Sequence, residues 1–135
     1  MDRIISVSDT ANACIHALAL VEANGGSISA REVAERLGVS PTYLAKIMQK
    51  LAAQGFLTPS RGLGGGYALA RPADRISCFD VVVGLEGDIP HRECLFARAV
   101  CRTKTCALRS FYEEAETQFR NVLSTTTISA VARSF

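Results

Sequence analysis

Three cysteines, Cys94, Cys101 and Cys106, lie within thirteen residues, with six residues in the first gap and four in the second. Arg92, Arg98, Arg102, Lys104 and Arg109 stand among or beside them, against Glu93 alone. Thiolates bind soft metals and iron–sulfur clusters, and a cluster usually takes four protein ligands. This segment supplies three. The neighbouring cations favour the thiolate form, and they would stabilise an anionic cluster and raise its reduction potential. The residues alone leave several chemistries open. A structural zinc site usually shows compact cysteine pairs and four ligands in total, and neither gap gives such a pair. A disulfide switch within the trio is compatible with activated thiols. Inert cysteines would be more at home in an apolar core than in a charged stretch. A solvated basic loop that touches DNA, or nothing, accounts for the charges equally simply.

The other candidate groups read as structural. Cys14 falls in an apolar helical stripe and Cys78 at the start of a short helix, so both are expected to pack. His16, on an alanine-rich helix, is expected at a surface or interface. Five cysteines, an odd number, with no charged N-terminal stretch running into an apolar segment and cleavage site, fit a reducing cytoplasm better than a secreted disulfide framework. No apolar run approaches the roughly 20 residues that span a bilayer. With 135 residues, 48% hydrophobic content and a net charge of +2, the chain suits one domain with a real core. The charge is unevenly spread: residues 40–75 carry Lys46, Lys50, Arg61, Arg71 and Arg75 against Asp74 alone, a stretch that can lie along phosphates.

The elements that must position these groups follow from local signals. From about Arg3 to Ala23 the apolar residues Val7, Ala11, Cys14, Leu18 and Val21 step by four and three, predicting a helix that Asn24-Gly25-Gly26 stops. Ser29 and Glu32 form a capping-box pattern ahead of Val33, Ala34 and Leu37, and Gly38 suits the helix end. Ser40 as N-cap and Pro41 at the first helical position start another helix, whose buried stripe is Leu44, Ile47, Met48 and Leu51. Two helices around a tight turn at Gly38-Val39 are the helix-turn-helix pattern, with the second helix in the major groove. Ser40, Thr42, Tyr43, Lys46, Gln49 and Lys50 are then candidates for base-edge or phosphate contacts.

Phe56–Ser60 and Tyr67–Ala70 predict two short strands around Arg61-Gly62-Leu63-Gly64-Gly65-Gly66. A loop almost free of side chains can approach a sugar–phosphate backbone. Ser60, Arg61, Gly62, Gly64, Gly65, Gly66 and Tyr67 thus form a candidate DNA-binding wing, with Arg61 the probe of a narrow minor groove. A nucleotide-binding loop is a poorer reading, because no Gly-Lys-Ser/Thr is present and no helix follows the glycines. After the cysteines, Leu108, Tyr112, Ala115, Phe119 and Val122 step by four and three; with Phe111 they make a candidate dimer seam. A helix packed only on its own domain is the alternative. The helix is expected to end at Thr125-Thr126-Thr127, and Ile128–Ala132 to pack back on the core.

Ser40-Pro-Thr-Tyr-Leu44, Leu51-Ala-Ala-Gln-Gly-Phe-Leu57, and above all Arg61-Gly-Leu-Gly-Gly-Gly-Tyr67 resemble the IscR/NsrR-type bacterial regulators of the Rrf-two family. Ser77-Cys-Phe-Asp-Val-Val82 and Leu85-Glu-Gly87 are similar to that family's short helix ahead of its cysteines. The resemblance implies a homodimer on a palindromic double-stranded DNA operator, acting as repressor or activator. It also implies a 2Fe–2S or 4Fe–4S cluster on Cys94, Cys101 and Cys106 that senses redox state, nitric oxide or iron–sulfur status. Family members commonly place the middle cysteine midway; here it is shifted by one. IscR-like members have a histidine three positions after the last cysteine, where this chain has Arg109, which does not ligate. NsrR-like members use a carboxylate early in the first helix of the partner subunit, and Asp9 matches that position. His91, Glu93, an external thiol or water are the other candidates.

The expected fold is therefore mainly α: a winged helix-turn-helix domain with a two-stranded wing over residues 1–86, a cluster-binding loop over 87–107, and a long C-terminal dimerisation helix and tail over 108–135. A cluster-free thiol- or metal-responsive repressor is the rival reading within regulation. An electron carrier or enzyme is the rival from another class, but no substrate motif is visible and the helix-turn-helix would then be unexplained.

Overall fold

Ser8 opens the first helix. Its hydroxyl accepts the amide of Ala11 at 3.0 Å, satisfying a first-turn donor that has no helical partner. In the computed structural model, which describes residues 7–61, 65–89, 94, 100–101 and 105–135, helix α1 runs Asp9–Ala23. The predicted start near Arg3 lies outside the described residues, whereas Val7 and Ser8 precede the helix. Its inward stripe is wider than the sequence pattern suggested. Ala11, Cys14 and every residue from Ala17 to Val21 are fully buried, because α1 is surrounded by other elements and its alanines let them approach closely.

Strand β1 (Ser27–Ile28), helix α2 (Ala30–Leu37) and helix α3 (Pro41–Ala53) follow. Ser29 accepts the Glu32 amide at 3.2 Å and Ser40 accepts the Tyr43 amide at 3.2 Å. Gly38, at φ 66°, closes α2 in the left-handed conformation that glycine adopts without steric cost. At Ser29 only this direction of the expected capping box is formed among the described bonds. The fully reciprocal box stands at Ser77 and Asp80, at 2.9 and 3.0 Å, and starts helix α4 (Cys78–Glu86).

Strands β2 (Leu57–Ser60) and β3 (Gly66–Leu69) pair antiparallel with Ser60 opposite Gly66. The wing has a third strand that the sequence did not announce. β1 pairs with the other edge of β3, with Ile28 opposite Tyr67, giving the order β1-β3-β2. A two-residue strand carries no readable alternation; it exists because β3 offers an open edge. The approach is tight enough to dictate a residue: a Cβ on Gly66 would lie 2.2 Å from the Ile28 carbonyl oxygen.

Helices α5 (Arg109–Thr125) and α6 (Ile128–Ala132) complete the chain. α6 lies on α1 and α5 on α4. The Ile128 amide donates to the Ile76 carbonyl at 2.8 Å and the Cys78 amide to the Thr126 carbonyl at 2.9 Å. Leu123, Ile128 and Ala132 join the same apolar core as Leu18, Leu44, Ile47 and Val81, each large buried side chain contributing on the order of 2 kcal/mol. The C-terminal tail thus folds back on the core as its composition predicted.

Candidate functional site

Helix α3 sorts its residues cleanly. Leu44, Ile47, Met48 and Leu51 are buried, and Thr42, Ala45, Lys46, Gln49 and Lys50 are exposed. These five positions follow the i, i+3, i+4 rule, so they form one outward stripe. Tyr43 departs from expectation: it is half-buried and packs against the core, because its position on the helix turns its ring back toward the domain. Ala45 carries no polar group to mark it, yet a methyl on such a stripe can contact the methyl of thymine. The turn before α3 is held by backbone bonds from Gly38 to Glu35 and from Val39 to Ala34, at 3.3 and 3.1 Å. Ser40 is exposed, with its hydroxyl engaged as the cap.

The wing presents Arg61 and Gly65 to solvent, while Ser60, Gly66 and Tyr67 are half-buried. Tyr67 packs against the core, and the close approach of β1 accounts for Gly66 without any ligand. Gly62 and Gly64 lie outside the described residues. Arg71, part of the basic stretch, stands 4.8 Å from the centre of the Phe56 ring, a cation–π distance that holds it beside the end of β3.

The cysteines divide into two groups. Cys14 is fully buried, and burial outweighs the opposing pull of Lys50 to push its thiol up to about 12, with Glu86 adding to the rise. Burial also pushes the Cys78 thiol up, against a smaller lowering by a backbone hydrogen bond. Both are packing residues, as expected. Cys94 is half-buried, and Cys101 and Cys106 are exposed. Among the described residues, no three histidine, cysteine or acidic side chains converge on one point, so a single chain does not gather Asp9 with the cysteines. His91 and Glu93, the alternative ligands, and the basic residues Arg92, Arg98, Arg102 and Lys104 lie outside the described residues.

Asp9 is exposed in the first turn of α1. With Asn12, Ala13 and His16 it lines a shallow groove whose other wall is Leu37 and Val39, so it faces the helix-turn-helix turn. Beside it, the Ser8 hydroxyl donates to the Glu86 carboxylate, fixing the start of α1 to the end of α4. Beyond Glu86 the chain enters the cysteine segment. His16 is half-buried, with Nδ1 2.7 Å from the Asn12 carbonyl. Its ring meets that of Phe135 edge-on at 6.1 Å, and Arg36 of α2 lies 6.0 Å from the centre of the Phe135 ring.

On α5 the predicted seam separates into two faces. Tyr112 and Leu123 are buried and Phe119 packs on the core; the inward line continues through Glu116, only 7% exposed. Leu108, Phe111 and Val122 are 53, 72 and 55% exposed, and with half-buried Ala115 they form a second, outward line. No helix among the described residues is long and apolar enough to cross a membrane.

A sequence profile of the Rrf2 family, described as an iron-dependent transcriptional regulator, matches residues 7–134. The chain belongs to the Rrf2 family. This Rrf2 protein is 30% identical over 127 residues to the HTH-type transcriptional repressor NsrR of Streptomyces coelicolor, covering 94% of this chain and 86% of that one. Its fold is that of CymR, the global cysteine regulator of B. subtilis, at a TM-score of 0.79 and 23% identity over 97% of this chain and 98% of that one. It is likewise that of IscR from T. potens, at 0.70 and 22% over 96% and 88%. The Rrf2 protein is thus a winged-helix transcriptional regulator with a C-terminal helix, as its sequence motifs implied.

Proposed function

We propose that this regulator is a homodimer whose affinity for a palindromic operator is set by an iron–sulfur cluster held by Cys94, Cys101 and Cys106, with Asp9 of the second copy as the fourth ligand. The observation that carries the reading is the division of the cysteines. Cys14 and Cys78 are sealed in the core, while the other three stand outside it, with Cys101 and Cys106 open to solvent. Three soft donors next to basic residues match the donor chemistry of a cluster, and a cluster that wants four ligands has a reason to recruit one from another chain. When bound, it would supply a redox- and nitric-oxide-sensitive centre of net negative charge.

The chain's own residues supply the rest. Thr42, Ala45, Lys46, Gln49 and Lys50 present hydrogen-bonding, apolar and cationic groups to the major groove, and Arg61 reaches from the wing to the minor groove. The outward line Leu108, Phe111, Ala115 and Val122 supports a second copy on α5, because apolar side chains this exposed need a cover. Asp9 sits in the groove against Leu37 and Val39, so engagement of its carboxylate would act directly on the turn that sets α3.

Anaerobic purification tests this reading: a coloured protein with stoichiometric iron and acid-labile sulfide is the expected result, and a colourless protein without iron refutes it. The second reading is a cluster-free thiol sensor. It is favoured by the lack of converging ligands among the described residues, and it predicts operator binding that responds to thiol oxidants in iron-free protein.

A further inference from the structure

Glu116 is the buried charged residue among the described residues, on the side of α5 that an amphipathic helix gives to apolar residues. A carboxylate taken out of water is costly unless it is paired. Arg120, one turn further along, brings Nε to 3.8 Å from Glu116 Oε1. The same guanidinium reaches off the helix. Its Nη1 is 3.7 Å from Asp88 Oδ1, and its Nη2 donates to the backbone carbonyl of Ile89. Asp88 is largely exposed, so that ion pair adds little by itself. The position is set by the Ile89 carbonyl, a fixed backbone acceptor on a residue that packs against the core.

Asp88 and Ile89 follow Gly87, whose φ of 80° turns the chain out of α4, and they stand immediately before the cysteine segment. The root of that segment is therefore held twice. Glu86 ties it to Ser8, next to Asp9, and Arg120 ties it to α5. One planar guanidinium can address three acceptors at once, whereas an ammonium cannot reproduce that fork.

We infer that Arg120 is the positioning residue that couples the cysteine segment to α5, so that a change of state at the cysteines reaches the dimer helix through the Asp88-Ile89 turn. This rests on the proposed sensing role of the cysteines. Loss of the guanidinium leaves the DNA-reading surface intact and releases the turn from the helix. The two states of the cysteine segment then bind DNA more nearly alike.

The test uses the full chain and a duplex selected against the wild-type protein from a random pool. Operator affinity is measured for cluster-loaded and chelator-stripped protein, and again for free-thiol and iodoacetamide-treated protein. In Arg120→Gln the ratio between the two states should shrink about fivefold or more, the lower range of measured allosteric couplings, while Arg120→Lys should fall between. Thermal midpoints are recorded alongside, since a purely structural role would lower the midpoint and leave the ratio unchanged. A ratio within about twofold of wild type in Arg120→Gln overturns the inference, as does a wild type whose two states bind alike in both pairs. Should Arg120→Gln fail to fold, Arg120→Lys and Glu116→Gln carry the same comparison. A wild type that takes up no iron but responds to alkylation sinks the cluster reading while the second pair still tests Arg120.

Discussion

Gly66 separates a DNA role from a folding role within the wing, and Gly66→Ala measures which one the residue serves. The added methyl carbon would lie 2.2 Å from the Ile28 carbonyl oxygen, 2.7 Å from its carbonyl carbon and 3.0 Å from the Ser29 Cα. All three are backbone atoms, so no side chain can swing aside and β1 must move off β3. Overpacking of this kind costs about 1–3 kcal/mol. Each ladder hydrogen bond lost as the strands part adds about 0.5–1.5 kcal/mol. The sum, about 2–4 kcal/mol, lowers the thermal midpoint of a domain this size by on the order of 10 °C. Ser29 caps α2, so the disturbance should also loosen the start of the helix-turn-helix. Thermal and urea denaturation read the loss, with operator affinity measured well below the midpoint. A midpoint within about 2 °C of wild type, together with weakened operator binding, would refute the reasoning and assign Gly66 to close approach of the DNA backbone.

Three further outcomes follow from the same geometry. Ser77→Ala removes the hydroxyl that accepts the Asp80 amide but leaves the Ser77 amide on the Asp80 carboxylate. It should therefore cost about 1 kcal/mol in urea denaturation, much as Ser29→Ala does, whereas Ser77→Ala combined with Asp80→Ala, which loses both halves of the box, should cost more. Lys46→Ala should leave the thermal midpoint unchanged and weaken DNA binding evenly across sequences, with the slope of log affinity against log salt shallower by about 0.9 if one phosphate contact is lost. Cys14, raised from 9.0 to about 12, keeps its proton in the folded chain while the unfolded chain ionises above pH 9. Stability should therefore fall between about pH 9 and 12, by up to about 1.4 kcal/mol per pH unit from this thiol. Cys14→Ala should flatten that slope, as read by denaturation at two alkaline pH values.

Much of the DNA-reading half was legible because its signals are local. Ser29, Gly38, Ser40 and Pro41 act on the few residues around them, and the helix boundaries they imply are the ones observed. The buried stripe of α3 follows from helical period alone. Tyr43 was not legible in this way: an aromatic ring at the margin of a stripe can turn either way, and packing against the core decided it. Nor was Ala45, because a methyl carries no chemical signal until its neighbours are known to be exposed. On α5 the steps of four and three were read as one seam. Glu116 shows why that pattern is incomplete: a charged residue does not count toward an apolar face, yet it occupies the inward line there, with Arg120 one turn along beside it.

By itself, the sequence determined the kinds of the helices, the starts of α2 and α3, the two strands flanking the glycine loop, and the separation of three cysteines in a basic stretch from Cys14 and Cys78 at packing positions. Those are consequences of backbone geometry and side-chain polarity over a few residues. Tertiary structure alone decided the third strand at Ser27–Ile28, the demand for glycine at position 66, the outward exposure of Leu108, Phe111 and Val122, and the Arg120 bridge to Ile89. Each of these depends on a partner far along the chain, and local patterning holds no record of which surfaces will meet.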